Sequence, residues 1–243
     1  MSHLPPVRQL PVLGVDSPFP SANLAWDDND PIPGLLCAGA DLSVERLVAA
    51  YCQGIFPWYS EGEPILWWSP DPRMVLKVAD FKRNRSLKQA IKRLQNDPCS
   101  ETRMDTAFPE VIAHCAHSIR AGQDGTWILP AMQAAYIRLF EAGYAHSIET
   151  WVDGKLVGGL YFTMVGNAVF GESMFSLQTD ASKIALSALV DFCRSRGIEW
   201  IDCQQQTAHL ASLGARPIPR QAFLDMAYKA TSSAKSYNHS HAN

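Results

Sequence analysis

The sequence predicts an α+β fold with a mostly antiparallel sheet in its second half. Between residues 130 and 203, helical and strand periodicities follow one another in the order α-β-β-β-α-β. Asp153-Gly154, a dipeptide typical of two-residue β-hairpins, stands between two apolar strand-like segments. The 243-residue chain is 47% hydrophobic and 19% charged, which is enough apolar material for one or two buried cores.

Each element of this second half begins or ends at a residue suited to that place. Pro130 suits the first turn of a helix that buries Met132 and Leu139, and Gly143 suits its end. Gly166-Asn167 predicts a second tight turn after the hairpin. The elements that follow the first helix are predicted as strands 145–152, 155–165 and 168–175, a helix over 181–193, and a strand over 200–203.

The first third of the chain predicts a small α/β domain. Residues 1–33 are rich in Pro, Asp, Asn and Ser and predict extended or loop structure, followed by a helix over 44–53 that ends at Gly54. Residues 57–73 hold three tryptophans and four prolines, which predict a stiff aromatic loop system and not a repeating core element. We therefore expect domains at 1–76 and 77–230, and a disordered tail at 231–243.

Composition excludes several classes of protein. No apolar run approaches the roughly 18 residues that a membrane span needs, and residues 1–14 hold three prolines without a signal-peptide core, so we expect no membrane partner. The six cysteines are scattered singly, which favours reduced thiols in the cytoplasm over disulfides or structural zinc. Nothing in the sequence indicates an obligate oligomer, and we expect a monomer.

The net charge of −3 is unevenly distributed. Residues 77–93 contain seven Lys and Arg against one acid, so this stretch carries +6 and the rest of the chain −9. Leu87, Ile91 and Leu94 recur at helical spacing there. The basic residues that this helix projects are Arg85, Lys88, Lys92 and Arg93. They predict either a solvated helix face or a surface that contacts nucleic-acid phosphates.

Familiar nucleophile and nucleotide motifs are missing, and a metal is not expected, because the His-Cys-x-His run at 114–117 has no second half. Cys203 alternates with Asp202 and Gln204 on a predicted strand, which favours a buried thiol over a nucleophile. Asp202 and Gln204 then share one face, either as a polar strand end or as part of a site. Glu172 lies among apolar neighbours, where a carboxylate is either paired or functional.

Several blocks of sequence, from about residue 19 to residue 224, closely resemble the bacterial leucyl/phenylalanyl-tRNA–protein transferases. The longest are GIFPWY at 54–59, PILWWSPDPR at 64–73, GESMFS at 171–176 and IDCQ at 201–204. Shorter matches are AHSIE at 145–149, LVGG at 156–159, ASK at 181–183 and SLGA at 212–215. The blocks occur in the same order as in the family.

The resemblance implies a small N-terminal domain joined to a GNAT-like acyltransferase domain. It implies transfer of Leu or Phe, and less readily Met, from aminoacyl-tRNA to the N-terminal Arg or Lys of acceptor proteins, which marks them for N-end rule degradation. No cofactor is implied, neither acyl-CoA nor metal. The sequence agrees on acyl-CoA, because residues 177–183 contain no glycine where a GNAT pyrophosphate loop needs a glycine-rich run.

The resemblance also implies residue roles. Gln204 contacts the attacking amine, and Asp202 polarises it as part of a proton relay. We interpret Gln204 mainly as an orienting group, because an amide is a very weak base. Glu172 holds either the aminoacyl α-amine or the basic side chain of the acceptor. Trp58 and Trp127 match positions near the terminal adenosine of tRNA. Candidates for the apolar aminoacyl pocket are Leu160, Val169, Met174, Phe175 and Leu189.

Three other classes of protein stay open at this point. An acyl-CoA-dependent GNAT enzyme is disfavoured by the missing loop. A FemX-like peptidyltransferase usually carries a larger, doubled GNAT unit. A tRNA-binding module without catalysis would not need Asp202, Gln204 and Glu172 together.

Overall fold

The computed structural model describes residues 9–118 and 126–237. Its N-terminal elements form a four-stranded sheet with one helix. The strands are β1 (Val12–Leu13), β2 (Leu35–Gly39), β3 (Phe56–Pro57) and β4 (Leu66–Trp68), and helix α1 spans Val44–Cys52. They are arranged in the order β1-β2-β4-β3, with β1 parallel to β2. Ser43 begins α1 because its side chain accepts a hydrogen bond from the backbone N–H of Arg46.

The aromatic and proline-rich segment is not the loop system that we expected, because strand β4 and the end of β3 lie within it. Trp67 is completely buried and Trp68 nearly so. The indole Nε1 of Trp67 donates to the carbonyl oxygen of Gly39 at 2.9 Å, and the ring packs edge-on against Phe19. The prediction failed because a buried indole is stable once a neighbouring strand accepts its N–H, and β2 supplies that carbonyl.

A seven-stranded sheet forms the rest of the protein. Its strands are β5 (Arg73–Lys77), β6 (Ser100–Met104), β7 (Ala145–Val152), β8 (Lys155–Val165), β9 (Ala168–Ser176), β10 (Trp200–Gln204) and β11 (Arg216–Ile218). They are arranged in the order β11-β5-β10-β9-β8-β7-β6. Every neighbouring pair is antiparallel except β9 with β10. The predicted α+β class with a mostly antiparallel sheet is confirmed.

Helices cover both faces of this sheet. They are α2 (Arg85–Asn96), α3 (Phe108–His117), α4 (Pro130–Glu141), α5 (Ala181–Ser195), α6 (Ala208–Ser212) and α7 (Arg220–Tyr237). Adjacent residues of β8 point to opposite faces, so Tyr161 packs in the core with α3 and α4 while Phe162 packs in the core with α5. No helix in the described ranges is both long and apolar enough to cross a bilayer.

The predicted elements from residue 130 onward agree with the observed ones to within two residues at each end. The expected division at residue 76 falls inside β5, whose residues all belong to the seven-stranded sheet. Helix α7 continues through Tyr237, so residues 231–237 of the expected tail are helical. The remainder of that tail, 238–243, lies outside the described residues.

Candidate active site

The site lies where the two parallel strands of the large sheet part. Strands β9 and β10 pair at Ile201 with Val169 and at Asp202 with Phe170. Irregular register follows in both strands, since β9 shifts against β8 near Gly171 and β10 shifts against β5 after Asp202. Such bulges redirect side chains next to a strand end. Here they turn Glu172 and Gln204 towards each other.

Gln204 adopts a left-handed backbone conformation, with φ of 60°. That conformation costs a non-glycine residue roughly 1–2 kcal/mol, so it persists only where neighbours hold it. The backbone N–H of Gln204 donates to Oδ1 of Asp202 at 2.9 Å, and its side-chain Nε2 donates to Oε2 of Glu172 at 3.1 Å. The simple alternation that we expected along this strand is therefore interrupted at Cys203.

Glu172 accepts hydrogen bonds at both carboxylate oxygens. The Tyr51 hydroxyl donates to Oε1 at 2.6 Å and that of Thr163 at 3.1 Å, while the Tyr136 hydroxyl lies 3.3 Å from Oε2. Burial raises the pKa of Glu172 to about 7, although the donated hydrogen bonds, chiefly from Tyr51 and Gln204, oppose that rise. Glu172 therefore exchanges a proton near neutral pH.

The two tyrosines are completely buried, and their hydroxyl oxygens lie 2.5 Å apart. Burial, followed by the charge on Glu172, raises the pKa of both Tyr51 and Tyr136 well above the ordinary value. They therefore remain protonated donors while Glu172 titrates. Tyr51 comes from α1 and Tyr136 from α4, so two helices that pack in the same core position one carboxylate.

Asp202 is completely buried and paired with Arg73, the first residue of β5. The guanidinium donates from Nε to Oδ1 at 2.8 Å and from Nη2 to Oδ2 at 2.6 Å. Bidentate pairs of this kind are among the stronger charge-assisted hydrogen bonds. The Asp202 carboxylate thus contacts Arg73 and the Gln204 backbone, and the Gln204 side chain instead contacts Glu172.

An apolar cavity of about 530 Å³ opens beside Glu172. Three residues of the predicted aminoacyl pocket line it, namely Leu160, Met174 and Leu189. The other two lie elsewhere: Val169 is buried in the core beneath α5, and Phe175 faces the opposite side of the sheet, where its ring stacks on His114. Alternation along β9 places Phe175 on the other side of the sheet from Met174. Val169 packs in the same core as Leu160 and Leu189 but does not reach the cavity lining.

Another part of the cavity lining comes from β10 and the chain that follows it. Cys203, Thr207, His209 and Leu210 line it. Burial raises the pKa of Cys203 to about 12, so the thiol stays protonated and is a poor nucleophile. Its side chain is half-buried, packing against the core that contains α5 and also lining the cavity. Burial, aided by the charge of Lys183, lowers the pKa of His209, which favours the neutral imidazole at neutral pH.

Comparison with known proteins gives the family. The family profile described as leucyl/phenylalanyl-tRNA protein transferase matches residues 75–228, and that of its N-terminal domain matches residues 40–71. The chain belongs to the leucyl/phenylalanyl-tRNA–protein transferase family.

Similar members of the family come from several bacteria. The transferase of Leptothrix cholodnii is 59% identical over 207 residues, which cover 85% of this chain and 81% of that protein. The transferase of Bordetella bronchiseptica is 57% identical over 222 residues, which cover 89% and 86%. Among solved structures, a GCN5-related N-acetyltransferase-like protein from Streptococcus suis covers 72% of this chain and 63% of its own, at 12% identity and a TM-score of 0.36.

The residues that match the tRNA-end positions of the family lie in different parts of the fold. Trp58 follows β3, is half-buried, and packs edge-on against Trp68 with ring centroids 5.3 Å apart. Trp127, also half-buried, precedes α4 and packs on the same core as Trp58. Each therefore keeps part of its indole accessible.

The basic helix α2 presents its cations to solvent. Arg85, Lys88, Lys92 and Arg93 are all exposed, and within the described parts of the chain none of the four forms an ion pair. Leu87 and Ala90 on the other side of α2 pack against Ile184 of α5. Arg83, just before the helix, differs from them because it pairs with Asp191 of α5 at 2.5 Å.

No group of three metal-ligating side chains occurs within residues 9–118 and 126–237. At the His-Cys-x-His run, the ring of His114 stacks on Phe175, and Nδ1 of His117 lies 2.7 Å from the carbonyl oxygen of Ala113.

Sequence reasoning missed three residues of this site in the transferase: Arg73, Tyr51 and Tyr136. Arg73 ends one of the matching blocks, and Tyr51 lies on a predicted helix, but neither position by itself indicates a polar partner. The available indication was indirect, since a carboxylate such as Glu172 on an apolar strand needs donors from elsewhere.

Proposed function

We propose that this protein transfers Leu or Phe, and less readily Met, from aminoacyl-tRNA to the N-terminal Arg or Lys of acceptor proteins. Family membership supports the reaction class, and one contact carries the assignment of the site: Gln204 donates to Glu172, which lines an apolar cavity. The product would enter N-end rule degradation.

The reaction needs no activation of the acyl group, because the aminoacyl ester of tRNA is already reactive. The neutral α-amine of the acceptor attacks the ester carbonyl carbon, a C–N bond forms, and the bond to the ribose oxygen breaks. The amine nitrogen loses a proton and the ribose oxygen gains one. With an α-amine pKa of about 7.7, roughly a sixth of the amine is neutral at pH 7, so orientation and proton transfer are what the protein must supply.

Glu172 suits the proton transfer. Its pKa of about 7 allows it to accept the proton from the attacking nitrogen and return it to the departing ribose oxygen. Gln204 suits orientation, because its amide is a hydrogen-bonding group with almost no basicity and its position is fixed at both the backbone and the side chain. We assign Asp202 to the catalytic residues because its carboxylate accepts the hydrogen bond that fixes the backbone of Gln204.

The apolar cavity suits the aminoacyl side chain. Leu160, Met174 and Leu189 offer contacts without charge, and one methylene changes binding by about 1–3 kcal/mol, so such a pocket rejects short side chains but separates Leu, Phe and Met weakly. We assign Trp58 and Trp127 to stacking on the 3′-terminal base of tRNA, a contact worth roughly 1–3 kcal/mol that tolerates any tRNA body.

The cations of α2 suit the tRNA backbone. Arg85, Lys88, Lys92 and Arg93 are exposed and unpaired in the described ranges, as expected for groups that neutralise phosphates. The remaining chain carries −9, which favours acceptors with a cationic first residue. We propose a monomer, because nothing in the sequence indicates an obligate oligomer, and the tRNA substrate supports the cytoplasm as its place of action.

Packing at the start of α5 argues against an acyl-CoA-dependent reaction. A Cβ on Gly158 of β8 would meet the Cβ of Ala181 at 2.4 Å, so strand and helix are already in close contact there. The N–H of Ser182 also has an acceptor, the Ser176 hydroxyl at 3.3 Å. A helix N-terminus binds a pyrophosphate through free N–H groups and an open approach, and both are reduced here.

The deciding experiment uses labelled Leu-tRNA or Phe-tRNA with a peptide that begins with Arg. We expect a labelled amide at the peptide N-terminus without ATP or acyl-CoA. The matched control is the same peptide with its α-amine acetylated, which should accept nothing. Transfer that requires acyl-CoA, or binding of tRNA without any transfer, would contradict the proposal.

A further inference from the structure

Arg73 connects three parts of the fold at one buried point. Its side chain is completely buried, and the guanidinium carbon lies 4.8 Å from the ring centroid of Phe56 and 4.4 Å from that of Phe223. Phe56 belongs to β3 of the N-terminal sheet and Phe223 to α7. The planar cation is therefore fixed between two aromatic rings, and this arrangement leaves its edge free to bind a carboxylate.

That carboxylate is Asp202, and its oxygens are already occupied. Oδ1 accepts N–H donors from Arg73 at 2.8 Å and from the Gln204 backbone at 2.9 Å, while Oδ2 accepts from Arg73 at 2.6 Å. No hydrogen bond in the described ranges joins the Asp202 carboxylate to the side-chain amide of Gln204. That amide donates to Glu172 instead.

The contacts form a chain of restraint that ends at Gln204. The aromatic rings fix Arg73, Arg73 fixes Asp202, and Asp202 holds the backbone N–H of Gln204 in its left-handed conformation. Only with that backbone in place does the Gln204 side chain reach Glu172. Displacement of the guanidinium would release the backbone of Gln204 and misplace its amide.

We propose that Arg73 is a positioning residue for aminoacyl transfer, and that Asp202 acts as a clamp on the Gln204 backbone and not as a proton relay. The inference rests on the proposed function, since it assigns the role of two residues in that reaction. It adds a residue that the sequence did not single out, and it separates proton transfer at Glu172 from positioning at Asp202.

The test compares Arg73→Lys with Asp202→Asn in single-turnover transfer from Leu-tRNA to a peptide with N-terminal Arg. Lysine keeps the charge but loses the bidentate geometry, and asparagine keeps an acceptor for the Gln204 N–H but loses the ion pair. We expect the transfer rate of Arg73→Lys to fall at least tenfold, with the KM for both substrates within about twofold of wild type. In both variants the rate should still rise with pH as Glu172 ionises, because neither removes Glu172. The midpoint should move up where the Gln204 hydrogen bond is lost and down where the Asp202 charge is removed.

The matched control is Arg103→Lys. Arg103 also pairs with a carboxylate, Glu101 at 2.5 Å, and also lies over an aromatic ring, Trp151 at 4.4 Å, but on β6 at the far edge of the sheet. Its transfer rate should equal that of wild type. If Arg73→Lys also transfers at the wild-type rate, Arg73 positions nothing. If the rate of Asp202→Asn no longer rises with pH while that of Arg73→Lys still does, Asp202 is the relay and the proposal is wrong.

Amide hydrogen exchange gives a second measurement that does not depend on transfer. In Arg73→Lys we expect the Gln204 amide to exchange at least tenfold faster, while the amide of Ile201 on the same strand keeps its protection. Unchanged exchange at Gln204 would overturn the clamp. If the wild type transfers no amino acid but Gln204 still loses protection in the variant, the proposed function fails and the clamp stands.

Should Arg73→Lys not fold, Phe56→Leu replaces it. That change removes one ring beside the guanidinium and leaves both charges in place, so we expect the same two effects at smaller size. A folded Phe56→Leu protein with wild-type transfer rate and wild-type exchange at Gln204 would contradict the proposal.

Discussion

Gln204 and Glu172 meet where two parallel strands separate, with Nε2 of Gln204 3.1 Å from Oε2 of Glu172. The contact joins residues 32 positions apart, one on β10 and one on β9, just beyond the last paired residues of those strands. It joins a side-chain amide to a carboxylate with a pKa of about 7, and that carboxylate lines the apolar cavity. We have proposed orientation for the one side chain and proton exchange for the other, and each can be changed separately.

The transfer rate should rise with pH through about 7, because Glu172 must be ionised to accept a proton and its pKa lies there. Glu172→Gln should lower the single-turnover rate by about 10²–10⁴-fold and leave a profile that follows the α-amine alone, near pH 7.7. Rates measured on both sides of pH 7 check this. Glu199→Gln, an exposed glutamate away from the cavity, serves as control and should keep the wild-type profile. If the transfer rate of Glu172→Gln still rises with pH through 7, the assignment of Glu172 is wrong.

The same group should make the fold less stable as pH rises. Because the pKa of Glu172 is raised from 4.5 to about 7 on folding, the folded state holds the proton more tightly, and this stability is present below pH 4.5 and lost as pH rises through 7. Relative to wild type, Glu172→Gln should gain up to roughly 3 kcal/mol in the free energy of unfolding across that window. Urea denaturation of both proteins on either side of the window measures the gain. An equal difference between the two proteins at both pH values would refute it.

The aminoacyl pocket should respond to a change at Met174, which is half-buried and lines the cavity. Met174→Phe fills part of the cavity, so transfer of Phe should fall about tenfold more than transfer of Leu. Competition between Phe-tRNA and Leu-tRNA measures the ratio. Phe175→Leu is the matched control, because Phe175 lies on the opposite side of the sheet and its change should leave the ratio as in wild type. A ratio that moves in the control and not in Met174→Phe would place the pocket on the other face.

Binding of tRNA should weaken steeply with salt through α2. Replacement of Arg85, Lys88, Lys92 and Arg93 by Gln should reduce the slope of log K against log salt by roughly 3–4. The control replaces four other exposed cations by Gln, namely Lys155, Arg196, Arg216 and Lys229. Titration of labelled tRNA at several salt concentrations checks both variants. A nearly flat salt dependence in wild type, or equal slopes in wild type and the α2 variant, would show that the cations of α2 contact solvent and not tRNA.

Local sequence determined much of the fold. Periodicity and punctuating residues predicted the elements between residues 130 and 204, because helices and hairpins there depend on neighbours close in the chain. The tight turn at Asp153-Gly154 fixed the pairing of β7 with β8. The aromatic segment was misread because burial of Trp67 depends on β2, about 30 positions away.

The sequence by itself determined the family, the α+β class, and the presence of Asp202, Gln204 and Glu172 as polar residues among apolar ones. Only the tertiary structure decided how they act together. Arg73 meets Asp202 across 129 positions, because β5 is inserted between β10 and β11, and Tyr51 meets Glu172 across 121. Such contacts depend on strand order and on bulges that turn side chains out of the regular alternation. The spacing of nearby residues predicts neither property.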